Sequence, residues 1–305
     1  MKASPKTGYF LLEGLNSFAA GFFVNHFLFH LRDHHGFTQL HLLALLAGFG
    51  AIYAASSVMA GRFAQRHGYF TSLTIGFGGL GAAVGLAWVW SGLGAQLTAI
   101  TLWSVVICFT WPVLEALCTE FEAPSRLPGR VGLYNVVWSL LQALGIAAGG
   151  LAVERLGTGA LFVVPILIHA IQLALLPALY GQRMRFLRAH HGGATRPPEH
   201  PAGGPPHFQT LAWIANPLSY MASNALTASI PALAQRLHLT QAEAGVWLGL
   251  WTWIRTVGFV GLWHWTGWHY RFGLFLAGFG AVTVGFLTLM QIGRASCRER
   301  VYGPV

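Results

Sequence analysis

Charge is scarce in this chain. Asp and Glu number 9 and Lys and Arg 18 among 305 residues, a 9% share, while hydrophobic residues make up 54%. A soluble domain carries about 25% charged residues and needs polar outer faces, so a water-soluble globule is excluded. The scarcity is also uneven: no Asp, Glu, Lys or Arg occurs between Arg66 and Glu115, between Arg155 and Arg183, or between Glu199 and Arg236. Cysteine is nearly missing. Cys108, Cys118 and Cys297 have no metal-ligand spacing, and Cys108 falls inside an apolar stretch, which argues against a metal site, a disulfide framework and a thiol nucleophile. No Gly-x-x-x-x-Gly-Lys-Ser/Thr run is present, which argues against direct drive by ATP. No His/Asp/Glu or Ser/His constellation gathers at one depth, so a membrane enzyme is not expected, nor is a cofactor. The first apolar segment is too long for a cleavable signal peptide and contains Glu13, Asn16 and Asn25.

What is present is a succession of apolar runs. A helix needs about 20 apolar residues to cross the hydrocarbon layer. Nine segments qualify: Gly8–Phe29, His41–Ala60, Phe70–Trp90, Gln96–Leu117, Val131–Val153, Gly159–Tyr180, Leu211–Ile230, Ala244–Trp263 and Gly273–Gln291. Lipid offers backbone groups no partner, so these must be helices or a closed barrel, and runs that do not alternate exclude the barrel.

The formal charge of +9 does not signal nucleic acid, because the basic residues lie in short loops rather than on one face. With the N-terminus inside, the cytoplasmic side holds Lys2, Lys6, Arg62, Arg66, Arg126, Arg130, Arg183, Arg185, Arg188, Arg196 and Arg271. The outer side holds Arg32, Arg155 and Arg236. That asymmetry places the N-terminus in the cytoplasm, with a bacterial inner membrane as the expected location. The polar stretch Gly181–Gln209, rich in Pro, Gly and His, reads as a cytoplasmic linker, and its scattered histidines as solvated. A faint repeat at an offset of 200 residues pairs Asn16 with Asn216 and Gly61 with Gly261, while Asn25 and Asn224 fall one out of step. Parallel halves joined by a linker are a transporter plan.

The run Gly61-Arg-Phe-Ala-Gln-Arg-His-Gly68 resembles the loop between the second and third helices of major facilitator superfamily transporters. Gly61, Arg66 and Gly68 match the usual form, Gln65 replaces its acidic residue and Tyr69 a basic one. In that family the loop holds the two halves together on the cytoplasmic side. Loss of the acid implies a weaker latch, or one shifted onto Arg66 with Glu120 or Glu122. In the fifth span, Gly145-Ile-Ala-Ala-Gly149-Gly150 is similar to the Gly-Pro-x-x-Gly-Gly motif of drug/proton antiporters, with Ile146 in place of the proline and Leu141 in place of an earlier glycine. Close helix packing of small residues explains the same segment. The arginine usual in the fourth span of proton-coupled antiporters has no match.

The resemblance implies an all-α membrane protein: a six-helix bundle over 1–185, a linker over 186–208 and a partial three-helix bundle over 209–291. The family has twelve spans, so the chain reads as truncated after nine. The tail 292–305 is abruptly polar, would put Arg294, Arg298 and Arg300 on the outer side, and resembles translated sequencing adapter; an assembly artefact is expected there.

Polar residues inside spans are costly and therefore candidates for function. Glu13 and Asn16 share a face of the first span, and Glu115 sits at matching depth in the fourth, beside a kink expected from Pro112. The resemblance makes the first and fourth spans cavity walls, so Glu13 and Glu115 would meet near the inner mouth, and one of them would titrate with transport. Simple hydration at the membrane interface is the competing reading. Arg255, mid-span and on the same side as Trp251, would bind an anionic solute, pair with a carboxylate, or bond within the second bundle. Asn216, Tyr220 and Asn224 form one stripe on the seventh span, and Tyr134, Trp138 and Gln142 one on the fifth. Together they would make an aromatic, hydrogen-bonding wall suited to a small organic solute; packing and interface duty compete. His169 and Gln172 read as a buried pair.

The resulting expectation is secondary transport of a small-molecule solute by a monomer in the lipid bilayer, with protons as candidate coupling ion. A drug or metabolite exporter, an importer, a membrane sensor or scaffold, and a non-functional fragment stay open.

Overall fold

The structure is a computed structural model that describes residues 5–190, 206–268 and 271–301. Every regular element among them is helical. The helices are α1 (Lys6–His35), α2 (Gln39–His67), α3 (Tyr69–Val89), α4 (Leu93–Val106), α5 (Trp111–Thr119), α6 (Leu127–Leu156), α7 (Ala160–His190), α8 (Pro206–Arg236), α9 (Gln241–His264) and α10 (Phe272–Val301). With α4 and α5 taken as one broken span, nine helical segments stand where nine apolar runs predict them.

Five are long and apolar enough to cross a membrane by length and composition: 39–67, 69–89, 93–119, 127–156 and 160–189. α1 is long enough and falls short in hydropathy because it lies inside the bundle and turns polar groups inward. Glu13, Asn16, Ser17 and His26 are all buried on it. The polarity that removes α1 from the apolar set is what makes it a candidate functional helix.

α1 sits between α6 and α7 and also touches α5. The main core gathers Phe23, Phe27, Phe77, Leu80, Trp103, Leu114 and Leu117 from α1, α3, α4 and α5. α8 and α9 contribute little to it. α9 packs along α6, and α8 against α2. A small outer cluster of Phe29, Ile230, Ala234 and Ala244 joins α1 to both. The second group of helices thus leans on the first.

The span α4–α5 breaks at a 3-10 turn, Ile107–Phe109, just ahead of Pro112 in the first turn of α5. Proline has no N–H to continue the ladder. Polar side chains serve the broken turn: Ser72 Oγ donates to the Phe109 carbonyl at 2.9 Å and Asn16 Nδ2 to Thr110 Oγ1 at 3.2 Å. This is the kink the sequence predicts.

The α2–α3 turn rests on Gly68, with φ 90° and ψ 152°, a conformation that essentially only glycine adopts. A Cβ there meets open space, as it does at Gly61 inside α2. Gly68→Ala is therefore expected to lower stability by about 1–3 kcal/mol through backbone strain alone. Gly61→Ala is expected to be neutral or stabilising, since helix interiors favour Ala. Thermal unfolding of the two variants checks this.

At the linker, α7 runs on to His190 and α8 begins at Pro206; 191–205, with His191 and His200, lies outside the described residues. α10 runs from Phe272 to Val301.

Candidate functional site

The site is organised by one face of α6. Tyr134, Trp138 and Gln142 stand four apart and so form a stripe. Tyr134 reaches α1 and Gln142 and Trp138 reach α9.

At the α1 end lies Glu13, fully buried at 0% exposure. Ser17, one turn on, donates Oγ–H to Glu13 Oε1 at 2.7 Å. The Tyr134 hydroxyl donates to Oε2 at 3.0 Å and stands 3.4 Å from the Trp111 carbonyl. Both carboxyl oxygens are thus held by neutral hydroxyls, and no Lys, Arg or His forms an ion pair with Glu13 among the described residues. Asn16, also buried, uses its amide on Thr110 and leaves its Oδ1 without a donor. Glu115 lies exposed on α5. Glu13 is thus buried and Glu115 exposed.

At the α9 end, Arg255 Nη2 donates to Gln142 Oε1 at 2.5 Å. The guanidinium lies 4.3 Å from the Trp138 ring centroid and 4.6 Å from that of Trp251. This bond crosses from the second group of helices to the first, because α9 packs along α6. Trp138 Nε1 donates to Asn135 Oδ1 at 2.8 Å. Of the α8 stripe, Tyr220 is exposed at 53%. Asn216 is exposed and Asn224 half-buried.

The glycines explain how α6 approaches both neighbours. A Cβ on Gly145 would overlap the Phe18 carbonyl of α1, one on Gly149 the His26 ring, and one on Gly150 the Gln241 carbonyl at the head of α9. Gly21 on α1 faces the Gln142 carbonyl in the same way. His26 uses the space at Gly149 to donate Nε2–H to the Ile146 carbonyl at 2.8 Å. Sequence reasoning missed Ser17, His26, Gly21 and Thr110. The spacing of Ser17 one turn from Glu13 was the available signal; the others depend on contacts between helices. His169 Nδ1 donates to Gln172 Oε1 at 2.8 Å, and Gln172 Nε2 to the Leu12 carbonyl at 2.9 Å, a buried pair that ties α7 to α1.

On the expected cytoplasmic side, the latch predicted for Arg66 is not formed. Gln65 and Arg66 are exposed. Glu120 pairs with Arg183 at 2.8 Å, and Glu122 with Lys6 at 2.5 Å and Arg130 at 2.6 Å. These acids follow α5 directly and meet cations of α1, α6 and α7 first. Tyr69, where the family motif has a basic residue, lies 5.4 Å from the Arg183 guanidinium.

Burial raises the Glu120 carboxyl above its usual range, only partly offset by Arg183 and Lys6. Burial also pushes Glu122 up, but the bonds and charges of Lys6 and Arg130 outweigh it and hold the group low. A depressed carboxyl stabilises the fold above its unfolded value, about 4.3, and loses that contribution as pH falls through the folded value. Glu122→Gln should therefore cost roughly 1–2 kcal/mol at pH 7. The gap to wild type should close in thermal unfolding near pH 3.

No curated protein matches the chain. The family model described as Major Facilitator Superfamily matches residues 9–296. A family model that runs from α1 into α10, over helices of bilayer-crossing length, identifies an integral, multi-pass membrane protein of a transporter family rather than an enzyme family: the chain belongs to the major facilitator superfamily.

Proposed function

We propose that the chain is a secondary transporter that carries a small organic solute by alternating access, with protons as the coupling ion and Glu13 as their carrier. The observation that carries this reading is Glu13 itself: a fully buried carboxyl held by two hydroxyl donors with no cation paired to it. An ionised group buried without a counter-charge is costly. Gain and loss of a proton lets such a group meet both a dry and a wetted state. Tyr134 links this acid to the stripe that ends at Arg255, so proton site and solute site share one helix. Glu115, exposed on α5, would give the proton a way to the cytoplasmic mouth.

The halves that move would be 1–185 and 209–291, in a monomer with its N-terminus in the cytoplasm of a bacterial cell. The close approach of α6 and α9 at Gly150 and Gly245 supports such sliding at close range. The same segment's likeness to an antiporter motif supports export as the direction.

The test uses proteoliposomes and a total small-molecule extract of the producing cells. A pH gradient should drive net movement of at least one solute above empty vesicles. If no solute moves faster than in empty vesicles with the gradient in place, the transport reading fails.

A further inference from the structure

Arg255 is a cation short of an anion. Its one side-chain bond goes to the neutral Gln142 oxygen. Its Nε is buried with no acceptor, and so is Trp251 Nε1, one turn earlier on α9. No carboxylate lies within ion-pair distance of it among the described residues. A half-buried charge without a counter-charge, with its buried Nε–H and a second buried donor both unpaired, is a costly arrangement unless something supplies the acceptor.

The geometry restricts what that can be. Trp138 and Trp251 stack against the guanidinium, with ring centroids 4.3 Å and 4.6 Å away. With two rings so close to Cζ, the guanidinium's free N–H groups are best met by a planar, two-oxygen acceptor, which a carboxylate is and a point-like group is not. Around it the wall is aromatic: Phe259 packs on Trp138 at 5.6 Å between ring centroids. Such a wall suits a flat apolar body.

We propose that Arg255 and Trp251 Nε1 seat the carboxylate of a small aromatic acid, with its ring against Trp138 and Trp251. This rests on the transport reading for its purpose, yet binding can be measured without transport. The competing occupant is an internal acid, Glu13 or Glu115, brought to Arg255 by movement of the halves.

The full chain in detergent is titrated with benzoate, phenylacetate and 3-phenylpropionate, each beside its primary amide, by calorimetry. At least one acid should bind saturably, with its amide about tenfold weaker or worse. Arg255→Gln should weaken the acid about 10- to 100-fold, the effect of losing a charged hydrogen bond, and leave the amide unchanged. Arg255→Lys should fall between, and Trp251→Phe should weaken the acid severalfold. If Arg255→Gln does not fold, as read from its unfolding midpoint without ligand, the Lys and Phe variants decide. Equal binding of acid and amide, undiminished binding in those variants, or no binding of any of the three acids overturns the seat. Overturned with gradient-driven solute movement intact, the result removes the anion seat alone. Acid binding without any solute movement would remove the transport reading and keep the seat.

Discussion

Glu13→Gln is expected to abolish the response of transport to a pH gradient while leaving solute exchange between equal concentrations in place. The substitution keeps the shape of the side chain and its place among Ser17 and Tyr134. It removes only the capacity to carry a proton. Gradient-driven net flux should fall about 100-fold or more, in line with the loss of a positioned proton carrier. Exchange should change by less than about threefold. Proton entry into vesicles, followed with a trapped pH dye during solute movement, separates the two. Glu115→Gln should do less: its carboxyl is accessible, and water can substitute for it. Gradient-driven flux that survives Glu13→Gln unchanged would remove Glu13 from the mechanism.

Val in place of Gly145 or Gly150 should give the largest structural effects, and the two should differ in kind. At both positions an added Cβ meets backbone oxygen rather than a side chain that could turn away: Phe18 of α1 for Gly145, Gln241 of α9 for Gly150. Relief therefore requires a helix to move. Gly145→Val forces α6 from α1 inside the main bundle, and thermal stability should drop by roughly 3 kcal/mol or more, the upper range for overpacking. Gly150→Val pries the head of α9 from α6, where Glu154 Oε2 also accepts from the Ala242 amide at 3.0 Å. The main unfolding step should shift little, by less than about 1 kcal/mol, while transport falls at least about tenfold.

Much of the fold was legible because bilayer crossing leaves a one-dimensional mark. Long uncharged stretches between Arg66 and Glu115 or between Arg155 and Arg183 can be read without knowing which helices touch. The break before Pro112 was legible for the same reason, since a missing N–H is a local property. The site was legible only in part. Glu13, Tyr134, Gln142 and Arg255 stood out as polar groups in apolar runs, and helical spacing placed Trp138 beside them. That Tyr134 would hold Glu13, or that Gln142 would hold Arg255, depends on α6 lying between α1 and α9, which no local pattern encodes. The Arg66 latch failed on similar grounds: charge pairing is settled by which cation is nearest in space, and Arg183, Lys6 and Arg130 were nearer to Glu120 and Glu122 than the loop was. α1 carries buried polar groups because a helix surrounded by protein answers to its neighbours rather than to lipid.

All of this turns on a polar path beside α6 that opens to each face of the membrane in turn. A single cysteine in place of Tyr220, in a chain with Cys108, Cys118 and Cys297 replaced, can be labelled with a membrane-impermeant maleimide in right-side-out and in inverted vesicles. Reaction from both faces, with each side's rate shifted by an imposed pH gradient, is the predicted result. Reaction from one face only, whatever the gradient, would contradict it.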